Sequence, residues 1–319
     1  MTIGPNPEFG WSISRAKVFE FCPRKYYFKY YGMWRGWEKT ASDKARLCYL
    51  LSRRVSLASW SGQEVHRAIA TYLRSALPMD QVIEQTHERM RTQFRCSMSR
   101  VWQEPGQAKR FGLLEHFYHT RLDDDEVRQR WEHVLSCLES IGSSDYLQDV
   151  KDARNSGRLV FIENPQDPDF ENMAIVRPEV GNFRIFAQPD LVLEYGDGTT
   201  CIIDWKTGHP PSVGQDYITE QLGLYAIWAA EKLGLDLDSK NTELYEIYLP
   251  SLQSRGDALV TANIHQALDF AKSSVQKLRG VLRDAETNLA YEEDFVPAPS
   301  KAKCAVCEFR AVCGHRARV

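Results

Sequence analysis

Two aspartates and a lysine in the segment QPDLVLEYGDGTTCIIDWKTG have the spacing of a site at one end of a β-hairpin. Gly196-Asp197-Gly198 is typical of a three-residue turn between two strands. Pairing these strands about Asp197 sets Asp190 opposite Asp204, with their Cβ atoms about 5 Å apart. Lys206 lies two residues beyond Asp204 and therefore on the same face of the sheet. One hairpin thus presents two carboxylates and an ammonium group at a single point.

This set of side chains is suited to holding a divalent cation. Hard cations prefer oxygen ligands, and Mg²⁺ is commonly bound by one or two carboxylates together with a substrate phosphate. A lysine beside such a cation can orient a water molecule, help to deprotonate it, or offset developing negative charge. The alternative is a solvated Asp–Lys pair at an exposed hairpin end. The opposed Asp190 and the apolar strands favour the metal site.

Three motifs along the chain resemble those of a known family. Pro189-Asp190 followed by Asp204-Trp205-Lys206 resembles the signature of the PD-(D/E)xK nucleases, and DWKTG resembles the matching run of their RecB-like branch. Gly62-x-x-x-His66 resembles the upstream element of that branch, whose histidine is a metal ligand. Gln221-x-x-x-Tyr225 resembles its downstream helix, where a spacing of four places both side chains on one face. The resemblance implies a restriction-endonuclease-like core, a small mixed sheet flanked by helices in the α/β class.

The resemblance also implies a role for each of these residues. The expected metal ligands are His66, Asp190, Asp204 and the backbone carbonyl of Trp205. Lys206 is expected to position the attacking water, and Gln221 and Tyr225 to support the site or contact DNA. The expected metal is Mg²⁺ or Mn²⁺, because an imidazole ligand makes the site softer than a purely carboxylate one. Glu163, at the end of a preceding strand, is a further candidate.

Four of the eight cysteines have the spacing of a second metal site. Cys304-x-x-Cys307 and Cys313 lie in a basic tail with prolines, and Cys22 lies far upstream in the run FCPRKYY. Such clustering in a chain without a secretory signal indicates metal binding. Four thiolates can hold either a zinc ion or an iron–sulfur cluster.

The order of these cysteines resembles the iron–sulfur members of the RecB-like branch, which include AddB-type nuclease domains and CRISPR adaptation nucleases. The resemblance implies a [4Fe–4S] cluster that clasps the two ends of the chain, with Zn²⁺ as the competing occupant. The expected cluster ligands are Cys22, Cys304, Cys307 and Cys313. The cysteines without comparable spacing, expected to be core or incidental thiols, are Cys48, Cys96, Cys137 and Cys201.

The patterns that must position these residues predict helices before, within and after a small sheet. Helices are expected from Ser12 or Ser14 with a break at Cys22-Pro23, and from Ser61, where Ser61 and Glu64 suit a capping box. Further helices are expected at 213–234 and 264–289. The expected strands are 158–163, 183–187, 190–195, 200–204 and 243–249. The expected organisation is an N-terminal helical part at 1–79, a helical insertion at 80–157, the nuclease core at 158–289 and a cluster-binding tail at 290–319.

Charge is unevenly distributed along the chain. The net charge is −3, but residues 1–60 carry +7 and residues 301–319 carry +4, which leaves −14 between them. Basic ends favour a polyanionic partner, and DNA, single-stranded or at an end, is expected. No apolar run reaches the roughly 18 residues of a membrane span, so no membrane partner is expected. The absence of a secretory signal predicts a cytoplasmic protein.

These observations favour a metal-dependent deoxyribonuclease, either an exonuclease or an enzyme that processes ends or flaps. Repair or recombination of DNA and anti-phage defence are both open. The sequence contains no G-x-x-x-x-G-K-[ST] motif, so a separate helicase or defence-complex subunit is a possible partner. The alternatives are a non-catalytic subunit that binds DNA ends and a nuclease directed at RNA. The intact set of His66, Asp190, Asp204 and Lys206 favours the enzyme.

Overall fold

The structure, a computed structural model, describes residues 6–75, 77–164, 174–176, 183–210, 219–237 and 241–315. Its strands are β1 (Gly10–Trp11), β2 (Val160–Ile162), β3 (Ile175–Val176), β4 (Arg184–Ile185), β5 (Leu191–Glu194), β6 (Thr200–Lys206), β7 (Thr242–Tyr248) and β8 (Gln253–Ala258). Five of them form a sheet in the order β2-β5-β6-β7-β8, and three form a second sheet in the order β1-β4-β3. In the larger sheet β6 and β7 are parallel and the other neighbours are antiparallel.

Helices cover both faces of the larger sheet, which confirms the expected mixed α/β class. They are α1 (Ile13–Phe21), α2 (Pro23–Tyr27), α3 (Asp43–Ser52), α4 (Leu57–Arg74), α5 (Met79–Ser99), α6 (Leu114–Phe117), α7 (Asp124–Gly142), α8 (Tyr146–Asn155), α9 (Glu220–Leu233), α10 (Thr261–Gly280) and α11 (Lys301–Ala305). Alternate sheet residues enter separate cores. Val192 and Ile202 pack with α9 and α10. Leu191 and Ile203 pack with α4, α5, α7 and α8. None of the helices in this part of the chain combines the length and apolar character that crossing a membrane requires.

The hairpin that carries the aspartates has the expected register. Leu191 pairs with Ile203 in the β5–β6 ladder, so one step further along the same register Asp190 faces Asp204. Gly198 in the turn has φ of +87°, a conformation that favours glycine because it has no Cβ. The turn residues therefore fix which side chains meet at the other end of the hairpin.

Helix α4 begins four residues earlier than expected, so the capping box at Ser61 is wrong. Ser56 is the N-cap residue, and Leu57 is buried in the core below it. Both serines suit an N-cap, and burial of the apolar first turn selects the earlier one. Glu64 does not return to cap the helix; its buried carboxylate accepts a 2.5 Å hydrogen bond from Arg89 on α5.

Other helix ends were predicted with mixed success. α1 is capped by Ser12, and the break before Pro23 lies where it was expected. α9 stops before Gly234, as expected, whereas the expected start at 213 falls outside the described residues. The prediction that α10 continues to residue 289 is wrong, because the helix ends at Gly280. Beyond it, Asp284 accepts hydrogen bonds from Thr287, a local turn that competes with helix.

The N-terminal helices contact the C-terminal segment directly. The Arg24 guanidinium donates to the Phe295 carbonyl at 2.9 Å and pairs with Glu292 at 2.9 Å. Lys25 pairs with Glu308 at 2.7 Å. Several aromatic rings of residues 19–31 pack around Phe295. These basic and aromatic side chains therefore join the two ends of the protein.

Candidate active site

Helix α4 and strands β2, β5 and β6 bring the predicted chemical groups to one open cleft of about 730 Å³. Its lining residues that carry chemistry are His66, Glu163, Asp190, Asp204, Trp205, Lys206, Gln221 and Tyr225. They come from five separate stretches of the chain. The structure thus gathers the residues of all three sequence motifs around one space.

The tightest group in the cleft is formed by His66, Glu163 and Asp190. One ligand atom from each lies within 4.8 Å of the others, and no other such group of three occurs in the part of the chain that the structure describes. His66 Nδ1 lies 3.0 Å from Asp190 Oδ1. The Trp205 amide donates to Asp190 Oδ2 at 2.7 Å, which fixes the orientation of that carboxylate. An imidazole nitrogen and two carboxylates at this separation form a donor set for Mn²⁺ or Mg²⁺.

The charges of this group act on one another in a buried setting. Although burial alone would lower it, the neighbouring Asp190 carboxylate raises the pKa of His66 to about 9. Burial and the charge of Asp190 raise the pKa of Glu163 to about 8. Burial alone would raise the pKa of Asp190, yet His66 holds it below its ordinary value. At neutral pH the group therefore holds protons that a divalent cation would displace.

Asp204, next to this group, has a different set of hydrogen-bond partners. Its Oδ1 accepts hydrogen bonds from Tyr225 at 3.2 Å and from Gln221 at 3.4 Å, and its Oδ2 contacts the ammonium group of Lys206. Gln221 also donates to the Tyr225 hydroxyl at 2.6 Å. Burial and the Asp190 carboxylate raise the pKa of Asp204 to about 6. The Gln–Tyr pair on α9 therefore holds Asp204 in place.

Lys206 is held as a cation at the edge of the cleft. Burial acts against its charge, but the Asp204 carboxylate raises the pKa of Lys206 above its ordinary value. Its Nζ lies 3.5 Å from Gln221 Oε1 and 3.9 Å from Glu246 Oε1. A lysine that keeps its proton is suited to donating hydrogen bonds and positive charge rather than to accepting a proton.

The glycine of the upstream motif has a steric role. Gly62 lies one turn before His66 on α4, and a Cβ placed there would come within 3.0 Å of Thr207 Oγ1. The carbonyl of Thr207, just after β6, lies 2.9 Å from His133 Nε2 on α7. A small residue at position 62 therefore lets the end of β6, with Lys206, approach the helix that carries the histidine.

The group of close side chains in the structure differs from the expected set of metal ligands. Glu163, named only as a further candidate, stands with His66 and Asp190, whereas Asp204 is not part of that close group. Trp205 lines the cleft and contributes its amide to Asp190. Glu246, beside Asp204 in the β6–β7 ladder, was missed. The signal for it was the second of the two glutamates in the run ELYEIYL, which lies between apolar and aromatic residues in the interior of a strand.

The second set of predicted residues also meets in space. A separate small cavity is lined by the four expected cluster cysteines, Cys22, Cys304, Cys307 and Cys313. The amide of Ala298 donates to Cys22 Sγ at 3.4 Å. Burial raises the pKa of Cys307 to about 11. Burial also raises the pKa of Cys48, Cys137 and Cys201, which do not line the cavity, to about 12, as suits core residues.

Comparison with known families accounts for this arrangement. The family model of the PD-(D/E)XK nuclease superfamily matches residues 10–314. The chain belongs to the PD-(D/E)XK nuclease superfamily. Proteins of this superfamily are generally nucleases and use divalent metals, and the matched range includes the whole cleft and the four cysteines of the cavity. A search of curated proteins finds no match to the chain.

Proposed function

We propose that this member of the PD-(D/E)XK superfamily is a metal-dependent deoxyribonuclease that hydrolyses phosphodiester bonds. The observation that carries the proposal is the group of His66, Glu163 and Asp190 within 4.8 Å, in a cleft that also contains Asp204 and Lys206. The cleft is open and large enough to admit a polymer, which suits an exonuclease or an enzyme that processes ends or flaps.

His66, Glu163 and Asp190 are the residues that would hold the metal, with Asp204 beside them. The donor set fits a divalent cation, because the three groups lie close together and bound metal can displace the protons of His66 and Glu163. When bound, such a cation supplies positive charge to the phosphodiester in the transition state and favours deprotonation of water near neutral pH.

The remaining residues of the cleft orient the reacting groups and neutralise negative charge. Lys206 donates hydrogen bonds and positive charge toward the attacking water and the phosphate oxygens, which is consistent with its raised pKa. Asp204 holds the lysine in place, and Gln221 and Tyr225 hold Asp204. The Trp205 amide keeps Asp190 oriented toward His66.

We also propose that the chain belongs to the RecB-like iron–sulfur branch, with a [4Fe–4S] cluster on Cys22, Cys304, Cys307 and Cys313. Three properties of the cavity support this proposal. The four thiols share it, an amide donates to one sulfur, and basic side chains that include Lys25 and Lys303 line it and can offset the negative charge of a thiolate cluster.

The order of these four cysteines along the chain supports the cluster, and Zn²⁺ is the competing occupant of the same thiols. We assign the cluster a structural role, because it would join the two ends of the chain.

An assay with end-labelled single-stranded, duplex and circular DNA, and with RNA, tests this function. Anaerobically purified protein is expected to cleave DNA with Mn²⁺ or Mg²⁺, to lose activity with EDTA, and to lose it when Asp190→Asn removes a carboxylate. Cleavage of the circular substrate distinguishes an endonuclease from an enzyme that requires ends. DNA binding without cleavage of any substrate would instead support a non-catalytic subunit that acts with a helicase or a defence complex in the cytoplasm. Cleavage of RNA alone would overturn the assignment of DNA as the substrate.

A further inference from the structure

A second groove of about 480 Å³ lies between α5, α7 and the start of α4. Its apolar wall contains three aromatic rings, those of Trp60, Phe94 and Trp131. Trp60 and Phe94 stack with their ring centroids 6.5 Å apart, and His87 stacks on Trp131 at 4.4 Å. Phe94 and Trp131 are only partly buried, so flat apolar surface remains open to a ligand.

The charged side chains of this groove are mostly cationic. Four arginines line it, against a single aspartate, Asp124, at the start of α7. Arg128 pairs with Asp125 at 2.7 Å, and Arg91 lies 3.7 Å from Glu88. Arg95 and Arg130 make no ion pair with any residue that the structure describes. Two guanidinium groups next to flat aromatic surface are therefore available to an anionic, ring-containing ligand.

The first turns of α4 form a wall that the groove shares with the active-site cleft. Leu57 and Trp60 line the groove. Ala58, Ser59 and Gly62, which alternate with them along the helix, line the cleft. An α-helix with its side chains is about 10–12 Å across, so the two spaces are separated by about the width of this helix end. A flexible polymer bound at His66, Glu163 and Asp190 (the metal group) can continue over Ser59 into the groove.

The geometry points to this groove as a binding site for the single-stranded nucleic acid that flanks the cleaved bond. Bases would stack on the aromatic wall while Arg95 and Arg130 contact phosphates, the combination used for single strands without sequence preference. The inference rests on the proposed nuclease function and adds to it a second contact region. It also assigns a role to helices α5 and α7, which contribute no residue to the metal group.

Binding of labelled single strands of about 4 and about 20 nucleotides tests the groove, because only the longer strand can reach both sites. The double variant Arg95→Ala/Arg130→Ala is expected to bind the longer strand about tenfold more weakly and the shorter strand normally. The slope of log affinity against log salt is expected to fall by about 1.4, since each single-strand phosphate contact contributes about 0.7. Lys272→Ala/Lys277→Ala removes the same charge from α10, which lines neither space, and serves as the control.

Trp131→Leu, which keeps an apolar side chain but removes the flat ring, is expected to weaken binding of the longer strand without changing the salt slope. Equal affinity and salt slope in the wild type and the arginine variant would overturn the assignment of the groove as a nucleic-acid binding site and leave the nuclease function intact. This result would favour an acidic protein segment as the occupant of the groove. Failure of the wild type to bind or cleave any nucleic acid would overturn both. Cleavage of the short strand at the wild-type rate by each variant shows that the cleft is undisturbed.

Discussion

The side chains of the cleft form two units with different tasks. His66, Glu163 and Asp190 converge on one small volume, and a bound cation would displace the protons that His66 and Glu163 hold near neutral pH. Asp204 and Lys206 face each other in a hydrogen-bonded frame that keeps the lysine charged. The first unit is therefore suited to binding metal, and the second to orienting the water and neutralising charge.

Glu163→Gln tests which carboxylate completes the metal group. It is expected to lower Mn²⁺ affinity by about tenfold or more, because it removes an anionic oxygen donor from the group of three. Asp204→Asn is expected to lower metal affinity less than Glu163→Gln does. Isothermal titration calorimetry measures both, with Glu132→Gln on the exposed surface of α7 as the control. A larger loss in Asp204→Asn would restore the ligand set expected from the sequence.

The pH dependence of metal binding follows from the same residues. In the metal-free protein the pKa values of His66 and Glu163 are about 9 and about 8, so both groups carry protons below those values. Bound metal must displace these protons, and affinity for Mn²⁺ is expected to rise between about pH 6 and about pH 8, by up to tenfold per pH unit for each proton released. Titrations in buffers of different ionisation enthalpy count the protons.

The stability of the metal-free protein should change in the opposite direction. Both pKa values are raised above those of the unfolded chain, so the folded state binds more protons than the unfolded state. The free energy of unfolding contributed by these groups therefore falls as the pH rises through about 8 to about 9. Metal affinity that is independent of pH between about pH 6 and about pH 8 would contradict the assigned protonation states.

At the scale of elements, sequence patterns predicted the hairpin well, but of the small second sheet they predicted only the strand at 183–187, which contains β4. The turn at 196–198 was enough to set the pairing of β5 with β6, because the side chains of a hairpin alternate with a fixed period. Strands β1 and β3 have two residues each, which leaves little local signal. The position of Glu163 next to His66 depends on how β2 meets α4, which no local pattern encodes.

The close contact between α9 and α10 gives a prediction at this scale. A Cβ at Gly223 would lie 2.8 Å from Ala267 Cβ and 2.9 Å from the Asn263 carbonyl oxygen. Gly223→Ala is therefore expected to lower the free energy of unfolding by about 1–2 kcal/mol, since overpacking outweighs the gain in helix propensity. At Gly280 a Cβ meets nothing within 4 Å, so Gly280→Ala is expected to be neutral or slightly stabilising in urea unfolding. Equal stability of the two variants would show that the helices separate at little cost.

At the scale of the whole molecule, the two ends of the chain lie against each other. Ion pairs from Arg24 and Lys25 and the ring of Phe295 make this junction, and the cysteine cavity lies within it. The sequence predicted the meeting of the ends through the cysteine pattern alone. It did not reveal that the basic residues of this region pair with Glu292 and Glu308, because those partners are nearly 270 residues or more away along the chain.

Loss of one cluster ligand should loosen this junction. Cys22→Ser is expected to remove the visible absorption and the bound iron and to lower Tm by about 5 °C or more, because a group that binds only the folded state adds to its stability. Cys96→Ser, at a thiol outside the cavity, is expected to keep both iron and Tm. Metal analysis and thermal unfolding of anaerobically purified protein provide the test. A colourless protein that contains zinc would contradict the cluster assignment and identify Zn²⁺ as the occupant of the four thiols.

The most direct test of the active site is the rate of DNA cleavage by Lys206→Ala in the presence of Mn²⁺, measured beside Mn²⁺ affinity and DNA binding. Lys206 contacts Asp204 but lies outside the close group of His66, Glu163 and Asp190, so its removal separates chemistry from metal binding. The structure predicts a fall in cleavage rate of about 100-fold or more, with Mn²⁺ affinity and DNA binding close to those of the wild type. Cleavage at the wild-type rate by this variant would contradict the assignment of this cleft as the site of phosphodiester hydrolysis.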